Sequence, residues 1–203
     1  MSILLWLERL REWDEAGFRL VNGTLRNGLF DVLMPFVSNK WNFAIPIAIL
    51  LMYVLLFRPK RDRIIVIAAI AVMLLTDVTS LLLKELFQRT RPLHSPGDTA
   101  RLISFSFPSN HASNMFALAA FLSYNYSRSA WLCFPAAALI GYSRIYVGAH
   151  YPFDVLGGAL WGILIGVLGA TAAQHLMRIV PILRHSRLRD EKDRSACGPE
   201  TFP

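Results

Sequence analysis

The chain of 203 residues is 54% hydrophobic and 17% charged, with mean hydropathy +0.41. So much apolar sequence in long runs excludes an ordinary soluble domain and points to an integral membrane protein. The net charge of +7 matters through its placement and suggests no nucleic-acid partner, and the two cysteines, Cys133 and Cys197, form neither a disulfide framework nor a zinc pattern.

We read one membrane-embedded domain over residues 1–182 and a polar, disordered cytoplasmic tail over 183–203. Met1–Arg9 offers no basic stretch ahead of a cleavable apolar core, so no removed signal peptide is expected. Residues 3–21 place Leu4, Leu7, Leu10 and Phe18 at helical spacing among Glu8, Arg9, Arg11, Glu12, Asp14 and Glu15. That pattern predicts an amphipathic helix, lying on the membrane surface or docked on the bundle, without a catalytic part. Asn22-Gly23 and Asn27-Gly28 punctuate the way to the first apolar run, Phe43–Phe57, which Trp41 extends as an interface anchor.

A basic stretch, Arg58–Arg63, ends that run, and a second covers Ile64–Leu83 and continues as helix to Thr90. Further runs cover Ala112–Tyr124, Trp131–Val147 and Val155–Ala173. The last carries Gly157, Gly158, Gly162, Gly166 and Gly169, small residues that let helices approach closely and whose gaps could admit a lipid chain. The expected fold class is all-α: a polytopic membrane bundle of five transmembrane helices, or six, plus the N-terminal amphipathic helix. Five spans put Arg58, Lys60, Arg61, Arg63, Arg128 and the basic tail on one side, cytoplasmic by the positive-inside rule. Residues 84–111 and 147–154 then face the opposite side, the periplasm of a bacterium.

Three polar clusters converge on that outer side. Lys84 and Arg91 are seven apart, two helical turns, and Pro92 breaks the helix after them. Alone, two such cations could simply snorkel to lipid headgroups. Ser109 is a natural N-cap for the helix that follows, whose free N–H groups suit an anion, and His111 projects from its first turn. In the third cluster, Pro152 suits a first helical turn, so His150 precedes a helix and Asp154 lies within its start. There the carboxylate is favoured by the helix dipole and can reach one imidazole nitrogen, leaving the other as base or nucleophile. A His–Asp pair that merely locks a loop is the bland alternative. A metal pair lacks a third ligand at fitting spacing, and Lys84, Arg91 and Arg144 demand an anion instead, so neither metal nor cofactor is expected.

Taken jointly, three cations, a helix N-terminus, two histidines and a carboxylate are the parts of a phosphoryl-transfer site. The sequence resembles the type 2 phosphatidic acid phosphatase superfamily, whose signature is K-x6-RP, PSGH and SR-x5-H-x3-D. Lys84, Arg91 and Pro92 match the first part; Pro108, Ser109 and His111 match the second, with Asn110 where glycine is usual; Ser143, Arg144, His150 and Asp154 match the third.

The resemblance implies that His150 attacks phosphorus to form a transient phosphohistidine, oriented by Asp154. His111 would protonate the leaving oxygen and then activate water. Lys84, Arg91, Ser109, Asn110 and Arg144 would hold the phosphate oxygens, without a metal. The implied substrates are membrane lipid phosphates: phosphatidic acid, phosphatidylglycerol phosphate, undecaprenyl pyrophosphate or lipid A, with a lean to undecaprenyl pyrophosphate. Lipid-to-lipid phosphotransfer is the nearest rival. Vanadate haloperoxidases share the signature but are soluble, and Asp77 within the second run is the feature that favours a transporter.

Overall fold

The computed structural model describes the backbone of residues 3–92 and 105–196 and the side chains of 5–92 and 105–179. Its elements are α1 (Ile3–Arg19), a π-helical turn (Leu20–Thr24), α2 (Gly28–Ser38) and a 3-10 turn (Lys40–Phe43). Then come α3 (Ala44–Phe57), α4 (Lys60–Phe87), α5 (Asn110–Asn125), α6 (Ala130–Tyr146) and α7 (Pro152–Ala196). The described residues contain no strand, in keeping with the all-α expectation.

Three segments are long and apolar enough to cross a bilayer: Lys40–Phe57, Lys60–Phe87 and Pro152–Ile179. The helices α5 and α6, at 16 and 17 residues, are shorter. Gly28–Ser38 forms a helix where the asparagine–glycine pairs had suggested only turns. The Asn27 side chain accepts from Phe30 N at 3.0 Å, capping α2, and Met34 on it is buried.

The core forms where α4, α5 and α7 meet. Ile65, Ala69 and Val72 pack with Ala117, Phe121, Ile165, Ala170 and Ala173. The buried residues of α4 recur as Ile65, Ala69, Val72, Thr76, Ser80 and Lys84. One helical stripe therefore runs from apolar core to a buried lysine at the far end. On its other faces α4 presents large apolar groups, and α3 buries none of its residues; both surfaces suit lipid rather than water.

The glycines of α7 do not leave openings for a lipid chain. A Cβ at Gly158 would stand 2.7 Å from Ser109 O, one at Gly162 2.1 Å from Ser113 O, and one at Gly166 2.3 Å from Ala117 O. Glycine spacing on α7 matches carbonyl spacing on α5, so the backbones of the two helices fill the gap. Close backbone contact replaces the hydrophobic driving force that helices lack in lipid.

Helix α4 ends at Phe87 rather than near Thr90. Gln88 adopts the left-handed conformation (φ 46°) and its N–H donates to Lys84 O at 2.9 Å, a C-cap that Pro92 had been expected to supply. Lys84 therefore sits in the last turn and Arg91 in the loop beyond, not on one helical face. At the other end, α7 continues as helix through Pro181 to Ala196, where a disordered tail was expected. Leu, Arg, Lys and Glu dominate that stretch, and all are strong helix formers. The cysteine Cys197 lies outside the described residues.

Candidate active site

The polar clusters gather at the end of α4 farthest from the basic stretch at residues 58–63. The rise of a helix puts about 35 Å between Arg61 and Lys84. At the near end Asp62 pairs with Arg58 at 2.9 Å and accepts from Tyr126 Oη at 2.6 Å.

At the far end, Lys84 Nζ donates to Phe105 O and Pro108 O, both at 2.8 Å. The buried ammonium thus folds the loop leading into α5. Sequence reasoning had given it to the phosphate; here its direct partners are carbonyls, and its charge is felt by Arg91 and Asp154. Ser109 N donates to Asp154 O at 3.0 Å, tying the start of α5 to the start of α7.

Ser109 is the N-cap residue of α5 but its hydroxyl does not cap the helix. Its Oγ is buried and lacks a hydrogen-bond partner, as is Asn110 Oδ1 close by. A buried orphan hydroxyl is costly, and one at a helix N-terminus is available to an incoming anion. His111, in the first turn, lies within electrostatic reach of His150, Arg144, Arg91 and Lys40.

His150 is 2% exposed. Its Nε2 faces Arg91 Nη1 at 3.2 Å, and Arg91 also donates to Ala149 O at 2.9 Å. A guanidinium can only donate, so this contact makes Nε2 the lone-pair nitrogen and puts the ring proton on Nδ1. Nδ1 in turn points toward Asp154 Oδ2 at 3.7 Å, an ion-pair distance rather than a hydrogen bond. Burial pushes the imidazole down to about 4, against the pull of Asp154, with Arg91 and Arg144 adding to the effect. The ring is neutral at pH 7, the form a nucleophile requires.

Asp154 is fully buried and every side of its carboxylate is engaged. Oδ2 accepts from Tyr151 N at 2.8 Å and from Ser106 Oγ; Oδ1 accepts from Arg89 Nη1 at 2.8 Å. Arg89 extends the network to Asp14 of α1, whose Oδ2 it meets at 2.5 Å. Asp14, 1% exposed, also accepts from Phe153 N at 2.8 Å through Oδ1. Sequence reasoning missed Arg89, Asp14 and Ser106. One signal was available: Asp14 stands four residues from both Leu10 and Phe18, on the stripe that should have been apolar.

Arg144, near the end of α6, donates to Ser38 Oγ of α2. It lines a cavity of about 430 Å³ with Arg26, Pro35, Ser38, Asn39, Tyr146 and Val147. Asp77, the residue that favoured a transporter, accepts from Asn114 Nδ2 of α5 at 2.8 Å. Its partner is an amide of the bundle, a structural pairing. Among the described residues no group of three or more His, Cys, Asp or Glu side chains could hold a metal ion.

The sequence profile of the PAP2 superfamily matches residues 63–178. The chain is 27% identical over 172 residues to a lipid A 4'-phosphatase of Porphyromonas gingivalis, covering 79% of this chain and 72% of that one. It is 29% identical over 184 residues to the putative undecaprenyl-diphosphatase YbjG of Escherichia coli, covering 85% and 86%. Its fold is similar to the crystal structure of a PAP2-type phosphatidylglycerolphosphate phosphatase from Bacillus subtilis, with TM-score 0.62, 22% identity and coverage of 85% and 88%.

Proposed function

Because the chain belongs to the PAP2 superfamily, we propose that it is a membrane lipid phosphatase whose reaction centre is His150. The observation that carries this reading is the setting of that imidazole. It is neutral, its lone-pair nitrogen faces Arg91, its protonated nitrogen faces the carboxylate of Asp154, and Ser109 Oγ waits unpartnered at the start of α5.

In the first step His150 Nε2 forms a bond to phosphorus while the bond from phosphorus to the lipid oxygen breaks. His111 gives that oxygen its proton. The negative charge of a bound phosphate favours the protonated imidazole that this transfer needs. As positive charge builds on His150, Nδ1–H closes the 3.7 Å separation from Asp154. In the second step water, losing its proton to His111, attacks phosphorus and the P–N bond breaks, releasing inorganic phosphate. Arg91, Arg144, Ser109 Oγ and the N–H groups at Asn110 and His111 hold the non-bridging oxygens, with the charge of Lys84 behind them.

The substrate class is a membrane lipid bearing a terminal phosphate or pyrophosphate. The likeness to YbjG supports a polyprenyl pyrophosphate. The lipid A 4'-phosphatase relative favours a lipid A phosphate as the second reading. Arg58, Lys60, Arg61 and Arg63 at the opposite end support a cytoplasmic placement of that end, so the site faces the periplasm across the inner membrane.

The test is inorganic phosphate release by the purified protein from a panel of undecaprenyl pyrophosphate, phosphatidic acid, phosphatidylglycerol phosphate and lipid A. EDTA is present and the His150→Ala variant is the control. Release that depends on His150 without an acceptor lipid supports a hydrolase. Release only with an acceptor would make it a phosphotransferase, and activity that survives His150→Ala would overturn the reading.

A further inference from the structure

Arg89 lies outside the signature residues, yet it joins two buried carboxylates, one from α1 and one from the first turn of α7. It reaches Asp154 Oδ1 at 2.8 Å and Asp14 Oδ2 at 2.5 Å, and its guanidinium lies 4.4 Å from the ring centroid of Tyr151. Both carboxylates also accept from backbone N–H groups at the start of α7, Asp154 from Tyr151 and Asp14 from Phe153. Two buried anions against one cation would repel each other without it.

This geometry leaves little freedom. With Oδ1 fixed by Arg89, and Oδ2 fixed by Tyr151 N and Ser106 Oγ, the Asp154 plane is set before substrate arrives. Asp14 in turn fixes the far side of Arg89, so the planar guanidinium has one orientation. About a quarter turn around α1 from Asp14, Trp6 and Trp13 are 50% and 59% exposed. That face suits the membrane surface, while Asp14 faces the site.

We propose that Arg89 is a positioning residue for the Asp154–His150 pair, and that Asp14 makes the N-terminal amphipathic helix part of the catalytic apparatus. The proposal rests on the phosphohistidine reading above. Arg89 reaches no reacting atom; it acts through Asp154.

The test compares Arg89→Gln, Arg89→Lys and Asp14→Asn, each alone and combined with Asp154→Asn, in purified full-length protein. Steady-state phosphate release is read together with the thermal midpoint. In the otherwise unaltered protein, Arg89→Gln should lower kcat at least about tenfold with KM within about twofold, and Asp14→Asn should lower it less. In the Asp154→Asn background either change should cost under about twofold, because the group through which they act is already gone. Arg89→Lys keeps the charge but not the fork, and should recover part of kcat.

A rise in KM with kcat intact, or a full loss persisting in the Asp154→Asn background, would place Arg89 on the substrate and overturn the proposal. A lowered thermal midpoint with kcat intact would make the link merely structural and overturn it equally. If Arg89→Gln does not fold, Asp14→Asn and Arg89→Lys decide by the same criteria. Failure of the phosphohistidine reading would show separately, as activity retained by His150→Ala.

Discussion

The Nη1 atom of Arg91 stands 3.2 Å from Nε2 of His150, beside the lone pair that must reach phosphorus. Before substrate binds, the cation therefore shields the nucleophile; with a phosphate between them, the same cation faces the anion. Arg91→Ala should lower kcat/KM about a hundredfold or more, as loss of a transition-state clamp does. Phosphate release kinetics check this, and a loss confined to KM would make Arg91 a binding group only.

His150→Ala should remove nearly all activity, more than about a thousandfold. The acid-labile, alkali-stable phosphoryl adduct expected after a rapid quench with radiolabelled lipid phosphate should vanish with it. An adduct of undiminished yield in this variant would move the nucleophile elsewhere.

Ser109→Ala separates activity from stability. Its Oγ is buried and unpartnered, so the change relieves an unsatisfied group and should leave the thermal midpoint equal or higher. If the hydroxyl serves the phosphate, kcat should fall about tenfold to a hundredfold. A lower midpoint with full activity would show that the hydroxyl belongs to the fold instead.

The pH profile has a definite sign. His150 is held near 4, below the ordinary histidine value, so its lone pair is free at neutral pH. As pH falls through about 4 the ring protonates and kcat/KM should fall with it. From about pH 6.5 down to 4 the unfolded chain takes up that proton first, so this group also contributes less stability as pH drops. A limb near 6.5 traced to His150 by proton NMR would contradict the buried setting.

Gly162→Ala should lower the thermal midpoint and the activity together. The added Cβ would stand 2.1 Å from Ser113 O, a backbone atom that moves only with α5, and overpacking of this kind costs about 1–3 kcal/mol or more. Gly28→Ala is the control: its Cβ meets nothing within 4 Å, and the change should stay within about 0.5 kcal/mol.

Much of this site was legible because its chemistry is written in short spacings. Ser143, Arg144, His150 and Asp154 fall within twelve residues where two apolar runs meet, and Ser109 and His111 open a helix. Arg89 and Asp14 were not legible in the same way. Arg89 falls among the unspecified positions between Lys84 and Arg91, Asp14 is one more acid on a charged amphipathic helix, and only the fold brings them together. The helix α2 was hidden by Pro35 and the asparagine–glycine pairs around it. The end of α4 was misplaced because Gln88, not the glycine that usually marks a left-handed cap, ends it.

The carbonyl-to-glycine seam between α5 and α7 has a further consequence. Each rod starts at the reaction centre, one with Ser109 and His111, the other with Asp154, and close main-chain contact at Gly158, Gly162 and Gly166 sets how near they lie. The outer coat, above all α3, has no share in that spacing. A descendant could therefore be re-dressed for a bilayer of different thickness or composition while its two ends of chemistry stay in register.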